Sequence, residues 1–184
     1  MIGSPIIRAA HLASRGFSVS ELIIIVIGIV SAVTVTVYNG VREKAQATAI
    51  VAGFKQIDDA FTMWAVKDKL TEWPKDPVLG GGVALSQMLR DYPTLAKYLT
   101  DVPSVPEIQE KEWFYDNDMD SGENCTNTYS GTNVIIMLNS DNRKLATMVD
   151  EQMDDGNLTC GHVRYENNRI FLSISNSWRV EKRE

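Results

Sequence analysis

The sequence predicts an α+β fold in which a long N-terminal helix, first apolar and then amphipathic, packs on a small antiparallel sheet of about four strands. Three observations predict it. An almost uninterrupted apolar run covers residues 17–38. The last third of the chain carries short β-rich segments separated by turn residues. Between them, apolar residues recur at spacings of 4, 3, 4 and 3, which places them on one helical face, at Ile50, Phe54, Ile57, Phe61 and Trp64.

The apolar run is long enough to cross a membrane. From Phe17 to Tyr38 it contains 22 residues with one ionisable side chain, Glu21, and a helix of about 20 residues spans the hydrocarbon core. Residues 1–16 carry Arg8 and Arg15 and no acid, which predicts a cytoplasmic N-terminus and an extracytoplasmic domain behind the helix. A carboxylate at membrane depth costs about 3 kcal/mol. Glu21 therefore either lies in the headgroup zone or has a partner.

The helix is expected to continue from about residue 18 to residue 69. Whether Asn39-Gly40 bends or melts it is open, because glycine weakens a helix interior. The segment from Trp73 to Pro77 is expected to end it, since neither proline continues a helix. Residues 84–100 then predict one or two short helices broken near Pro93.

The remaining elements alternate between strands and one helix. A short helix is predicted at 142–153, and Asn167-Asn168 suits a two-residue hairpin turn because asparagine tolerates positive φ. The strands are predicted at residues 112–115, 132–138, 162–165 and 170–174.

Composition limits the classes of function. The 184 residues suffice for one globular domain behind the apolar segment. The net charge of −6, spread along the chain, disfavours nucleic acid as a partner. Outside the cytoplasm, Cys125 and Cys160 are expected to form a disulfide that ties the loop before the second strand to the start of the last hairpin. Two free, buried thiols are the alternative.

The chain carries no pattern typical of a catalytic site. His11 lies in the N-terminal segment, which leaves His162 alone at the start of a predicted strand. No HExxH, P-loop, GxSxG or CxxC sequence is present. We therefore expect a protein that is not an enzyme.

Two acidic segments are candidate cation sites. Three acids at alternate positions precede a glycine, at Asp116, Asp118 and Asp120. This spacing is similar to the start of a Ca²⁺ loop. However, Gly122 comes one position late, and Asn127 stands where a bidentate Glu would close the loop. The alternative is a solvated acidic turn. Residues 150–157, DEQMDDGN, predict a turn in which Asp154 or Asp155 binds local backbone N–H groups, with a cation site shared with the first segment as the second option.

The N-terminal motif resembles that of a known family. Arg15-Gly16-Phe17-Ser18-Val19-Ser20-Glu21, followed by the Leu/Ile/Val run, is similar to the class III signal of type IV pilins and of the pseudopilins of type II secretion. The resemblance implies that a prepilin peptidase removes residues 1–16 as a leader, cutting between Gly16 and Phe17, and methylates the new amine of Phe17. It implies a filament-core helix over 17–38 and a pilin globular domain over 39–184, in a lollipop shape.

The same resemblance implies a structural function. Glu21 would neutralise the Phe17 amine of a neighbouring subunit inside a filament. The subunit would lie in the cytoplasmic membrane before assembly, and in a surface pilus or periplasmic pseudopilus afterwards. Its partners would be other pilin subunits, the prepilin peptidase and an assembly platform, and no cofactor is expected except Ca²⁺ at the acidic segment. The alternative is a single-pass, membrane-anchored extracytoplasmic binding protein that never polymerises, with or without a requirement for calcium.

Overall fold

The computed structural model describes residues 18–75, 82–106, 112–120 and 132–174, with the backbone alone at positions 21, 32–36, 118–120, 132 and 133. It divides into two compact units, Met1–Gly40 and Val41–Glu184. The elements in chain order are α1 (Val19–Lys67), β1 (Val83–Ala84), α2 (Leu85–Asp91), a 3₁₀ helix (Leu95–Lys97), β2 (Trp113–Asp120), β3 (Thr132–Asn139), α3 (Arg143–Met153), β4 (Val163–Glu166) and β5 (Arg169–Ser173).

The first unit contains the N-terminal part of α1. Its large apolar side chains from Leu22 to Val30 are exposed. The predicted membrane span is not borne out among the described residues, where no helix is both long enough and apolar enough to cross a bilayer. The helix is continuous through Asn39 and Gly40 in the single chain.

The second unit is built on a five-stranded antiparallel sheet with the order β1-β2-β3-β5-β4. The sequence predicted about four strands, and the fifth is the two-residue β1, which pairs with β2. A strand this short leaves no periodicity in the sequence to detect it. The α+β architecture and the antiparallel sheet are confirmed.

The core lies between one face of the sheet and the second half of α1. The predicted stripe Ile50, Phe54, Ile57, Phe61 and Trp64 is buried. Val134, Ile136 and Leu138 of β3 join the same core, whereas the alternate residues Ile135 and Met137 form a small cluster with Phe171 on the other face. Both faces of β3 are therefore buried, which explains its nearly continuous apolar sequence.

Phe61 lies at the centre of an aromatic cluster. Its ring stacks on Tyr115 at a centroid distance of 5.6 Å and contacts Trp64 and Trp73 at 5.9 and 6.0 Å. Two polar atoms of this cluster have partners, since Trp64 Nε1 donates to Thr94 Oγ1 and Tyr115 Oη donates to the Pro74 carbonyl. Buried aromatic groups with paired N–H and O–H atoms hold the helix on the sheet at a fixed register.

Helix α1 ends before the prolines that were expected to end it. Lys69 has a φ of +53°, and the Leu70 N–H donates to the Ala65 carbonyl at 3.0 Å. This 6→1 hydrogen bond, with the left-handed residue Lys69 just before the donor, is a Schellman C-cap. The prediction missed it because lysine, unlike glycine, gives no sign of a left-handed conformation.

Other local predictions are confirmed. Helix α2 and the 3₁₀ helix flank Pro93, and α3 begins after Asn142, whose Oδ1 accepts a hydrogen bond from Leu145 N at 3.0 Å. Asn167 and Asn168 have φ values of +49° and +59° and form the β4–β5 turn. The paired positive φ angles are those of a type I′ turn.

Candidate functional site

The C-terminal end of α3 carries a cluster of three carboxylates. Asp150 lies in the last turn of the helix, Asp154 is the residue that caps it, and Asp155 follows in the loop. Each residue places one carboxylate oxygen within 4.8 Å of those of the other two. No basic residue occupies this last turn, so the negative end of the helix dipole adds to the repulsion among the acids.

Asp150 is the most constrained of the three. Its side chain is 0% exposed, and among the described residues neither of its carboxylate oxygens has a hydrogen-bond partner. A buried carboxylate without a partner is unstable in its charged form. The group must therefore hold a proton or meet a positive charge at this position.

The electrostatics agree with this geometry. The pKa of Asp150 is raised from 3.8 to about 6, chiefly by burial and also by the negative charges of Asp154, Asp155 and Glu151. The peptide N–H of Gly156 lowers the pKa of Asp150, but it does not meet hydrogen-bond geometry with either oxygen. No cation is among the groups that shift it.

Asp154 joins the end of α3 to the start of the last hairpin. Its Oδ2 accepts hydrogen bonds from the backbone N–H groups of His162 and, at 3.4 Å, Val163. Gly161, with a φ of +110°, leaves the space for this contact, since a Cβ there would lie 2.1 Å from the same Oδ2. The other oxygen of Asp154 is not used in these bonds.

Asp155 lies in an exposed loop. Its Oδ1 accepts a hydrogen bond from Asn157 N at 2.9 Å, and Gly156 between them has a φ of +85°. The prediction that Asp154 or Asp155 binds local backbone N–H groups is thus confirmed for Asp155, whereas Asp154 binds N–H groups eight and nine residues along the chain. No local feature of the sequence indicates that Asp150 is buried beside them.

The raised pKa of Asp150 predicts a pH dependence of stability. Below about pH 4 the carboxyl is protonated in the folded and the unfolded chain, and between pH 4 and 6 only the folded chain keeps the proton. With a chelator present, the free energy of unfolding should therefore fall across this interval relative to Asp150→Asn, and the difference should level off above about pH 7. Melting temperatures of both proteins between pH 4 and 8 measure it. A pH-independent difference would contradict the assignment.

Cys160 lies between α3 and β4 and is disulfide-bonded. The only other cysteine of the sequence is Cys125, which lies outside the described residues. The predicted pairing of Cys125 with Cys160 therefore stays a prediction. His162 follows shortly after, and its backbone N–H serves Asp154 as described above.

The predicted calcium loop at Asp116, Asp118 and Asp120 does not have a loop conformation. All three residues belong to β2, which has an irregular register between Asp116 and Met119. A calcium loop wraps the chain around the ion, whereas β2 is extended through these positions. Asp116 is buried opposite Ile135 and is not part of the carboxylate group of α3. The alternative, a solvated acidic turn, is likewise not found over residues 116–120, which belong to β2, and the rest of the acidic segment lies outside the described residues.

The residues predicted for processing and assembly lie at the N-terminal end of the chain. Gly16 and Phe17 fall outside the described residues. Glu21 belongs to the first turn of α1, and its side chain is not described. The helix that follows is continuous, and its large apolar side chains from Leu22 to Val30 are exposed.

The chain matches no protein-family model, no curated protein and no solved structure.

Proposed function

We propose that this chain is a type IV pilin-like structural subunit that is processed after Gly16 and assembled into a filament. The filament would be a surface pilus for motility, adhesion or DNA uptake, or a pseudopilus of type II secretion. Its partners would be other pilin subunits, the prepilin peptidase and an assembly platform. The function is assembly, and the proposal includes no catalytic step.

One observation carries the proposal. The large apolar side chains from Leu22 to Val30 are 46% to 69% exposed. They include six consecutive residues, Leu22 to Ile27, so the apolar surface surrounds the helix. A helix that is apolar on all sides is stable only when it is buried on all sides.

The shape of this surface limits what can cover it. A second helix in a simple dimer covers one stripe and leaves the opposite face in water. A bundle of several helices, or lipid followed by such a bundle, covers the whole circumference. This requirement supports a filament core made of many copies of α1.

The membrane stage of the proposal depends on the sequence of the whole segment from Phe17 to Tyr38. Its 22 residues carry only Glu21 as an ionisable group, and Arg8 and Arg15 precede it on the side expected to stay in the cytoplasm. Before assembly the subunit would be inserted in the cytoplasmic membrane, with its second unit on the extracytoplasmic side. When α1 moves from lipid into a filament, it exchanges one apolar environment for another. Packing between helices therefore supplies the favourable free energy of assembly.

Glu21 would provide the polar part of this packing. A carboxylate and an ammonium group buried together cost less than either does alone. We propose that Glu21 pairs with the methylated amine of Phe17 in a neighbouring subunit. The cost of burying Glu21 is then offset only in the filament.

The replacement Glu21→Ala tests the assembly role. The variant should insert into the membrane and be cleaved like the wild type, because neither step needs the pair of Glu21 and the Phe17 amine. The yield of sheared filaments should fall at least about tenfold, which is equivalent to about 1.4 kcal/mol or more per subunit. The yield is measured by immunoblotting of the sheared fraction from cells that contain the peptidase and the assembly platform. Glu72→Ala, at an exposed position after α1, is the matched control.

The mass of the mature chain distinguishes the proposal from its alternative. A chain that begins with N-methylated Phe17 supports the pilin-like subunit. A chain that keeps residues 1–16, together with normal filament yield from Glu21→Ala, would contradict it and favour the anchored binding protein that does not polymerise.

A further inference from the structure

We propose that Asn157 is the acceptor of an N-linked glycan, which an oligosaccharyltransferase transfers to it from a lipid-linked oligosaccharide. The site goes beyond the proposed function and rests on one part of it, the extracytoplasmic position of the second unit. Asn157-Leu158-Thr159 has the pattern N-x-[ST] with a residue other than proline in the middle, which is the acceptor pattern of N-glycosylation in exported proteins. Because so short a pattern occurs by chance, the conformation of the segment decides whether it can be modified.

The loop between α3 and β4 exposes both residues that define the pattern. Asn157 and Thr159 are exposed, whereas Leu158 between them is only 7% exposed and joins the core. The Leu158 carbonyl also accepts a hydrogen bond from Tyr165 N at 3.0 Å, so the loop is anchored at its middle residue. The amide and the hydroxyl group are therefore presented to solvent by a fixed segment of backbone.

Local hydrogen bonds orient the amide of Asn157. Its Oδ1 accepts hydrogen bonds from Thr159 N at 3.2 Å and from Thr159 Oγ1 at 2.7 Å, and its backbone N–H donates to Asp155 Oδ1 at 2.9 Å. These bonds use the oxygen of the amide and form local turns. Among the described residues Nδ2 has no hydrogen-bond partner. The atom that would carry the sugar is thus left unbonded, with the Thr159 hydroxyl on the same amide.

The transfer is a substitution at the anomeric carbon of the first sugar. Nδ2 of Asn157 forms a bond to C1, the bond between C1 and the diphosphate oxygen breaks, and the polyprenyl diphosphate leaves with the electron pair. Nδ2 loses one proton to a base of the transferase, and nothing is oxidised or reduced. An amide nitrogen is a weak nucleophile because its lone pair is delocalised into the carbonyl group, so the step requires the enzyme.

A glycan on Asn157 would stand beside the last strand of the sheet. Strand β4 lies at one end of the strand order, and the loop that carries Asn157 already occupies N–H groups on its outer edge, through the Leu158 carbonyl and Asp154 Oδ2. A glycan is bulky and hydrated. It would cover this edge and oppose its pairing with strands of other molecules.

The first test is the mass of the chain isolated from the cells in which it naturally occurs. After reduction, trypsin should release residues 145–164 as a peptide that is heavier by the mass of an oligosaccharide, and electron-transfer fragmentation should place that mass on Asn157. An unmodified peptide from a chain that begins at Phe17 would overturn the inference and leave the proposed function intact. A glycan on Asn157 of a chain that keeps residues 1–16 would support the site and contradict the processing.

Transfer in vitro tests the role of each residue without reference to the membrane. The full chain in detergent micelles is incubated with a purified single-subunit oligosaccharyltransferase and a polyprenyl-diphosphate-linked oligosaccharide of known mass. Asn157→Gln should abolish modification of the peptide, and Thr159→Ala should lower it at least about tenfold, whereas Thr159→Ser keeps the hydroxyl and should be modified. Asn124→Gln is the matched control, because Asn124-Cys125-Thr126 is the second such pattern of the sequence and lies outside the described residues.

Four results would overturn the inference. These are no transfer to the wild-type chain, equal modification of Thr159→Ala and wild type, a glycan on the oxygen of Thr159, or modification that is lost in Asn124→Gln and kept in Asn157→Gln. Thr159→Ala and Thr159→Ser each change one exposed side chain, and circular dichroism verifies their fold. The comparison of these two variants decides the question even where Asn157→Gln folds poorly.

Discussion

Replacing Gly161 by alanine is expected to lower the free energy of unfolding by about 2–4 kcal/mol. The left-handed φ of +110° strains any side-chain-bearing residue. The new Cβ would also lie 2.1 Å from Asp154 Oδ2 and 2.9 Å from its Cγ, so the carboxylate would have to leave the backbone N–H groups of His162 and Val163. Hydrogen bonds to a charged group contribute about 1.5–3 kcal/mol. Equilibrium chemical unfolding in the presence of a chelator measures the loss.

Gly156→Ala is the matched control for this variant. Gly156 is in the same loop and also has a positive φ, +85°, but the nearest atom to its Cβ position is Glu151 Cγ at 3.8 Å. It should therefore show the backbone strain alone, about 1–2 kcal/mol. Equal losses in the two variants would show that the Asp154 contact contributes nothing to stability.

Replacing Phe61 by alanine should cost about 3–5 kcal/mol, the range for a large aromatic side chain removed from a core. Phe61 is fully buried, and its ring contacts those of Trp64, Trp73 and Tyr115. The cavity would open at the centre of the cluster, where the neighbouring rings are held by their own hydrogen bonds. Chemical unfolding followed by tryptophan fluorescence measures the effect.

Met63→Ala provides the comparison on the same helix. Met63 lies two residues further along α1 and is 54% exposed, so its loss should change stability by no more than about 0.5 kcal/mol. A Phe61→Ala loss below about 1 kcal/mol would mean that the cluster repacks freely. That result would contradict the fixed register described for α1 on the sheet.

The parts of the fold that follow from local chemistry could be predicted from sequence. The stripe from Ile50 to Trp64 gave the core face of α1 because one helix buries one face. The Asn167-Asn168 pair marked a hairpin turn because asparagine tolerates the positive φ angles that the turn requires.

The parts that depend on tertiary contacts could not be predicted. Strand β1 exists only because β2 lies beside it, and the acidic residues 116–120 are extended because β2 pairs with β3. Asp150 is one of several acids in a polar segment, and only the packing of α3 buries it. Gly161 could have been noted as a glycine next to a cysteine, but its contact with Asp154 crosses seven residues of chain.

Helix α1 has a consequence for genetics. The large apolar side chains from Leu22 to Val30 are exposed, and the buried apolar side chains between Ala47 and Ala65 belong to the core, although both sets lie on one uninterrupted helix. In a scan of single substitutions, polar changes in the later part should reduce the amount of protein in the cell, because they unfold the domain. Polar changes in the earlier part should leave that amount unchanged and appear only in an assay of assembly. Substitutions in α1 would then give one phenotype before Gly40 and another after it.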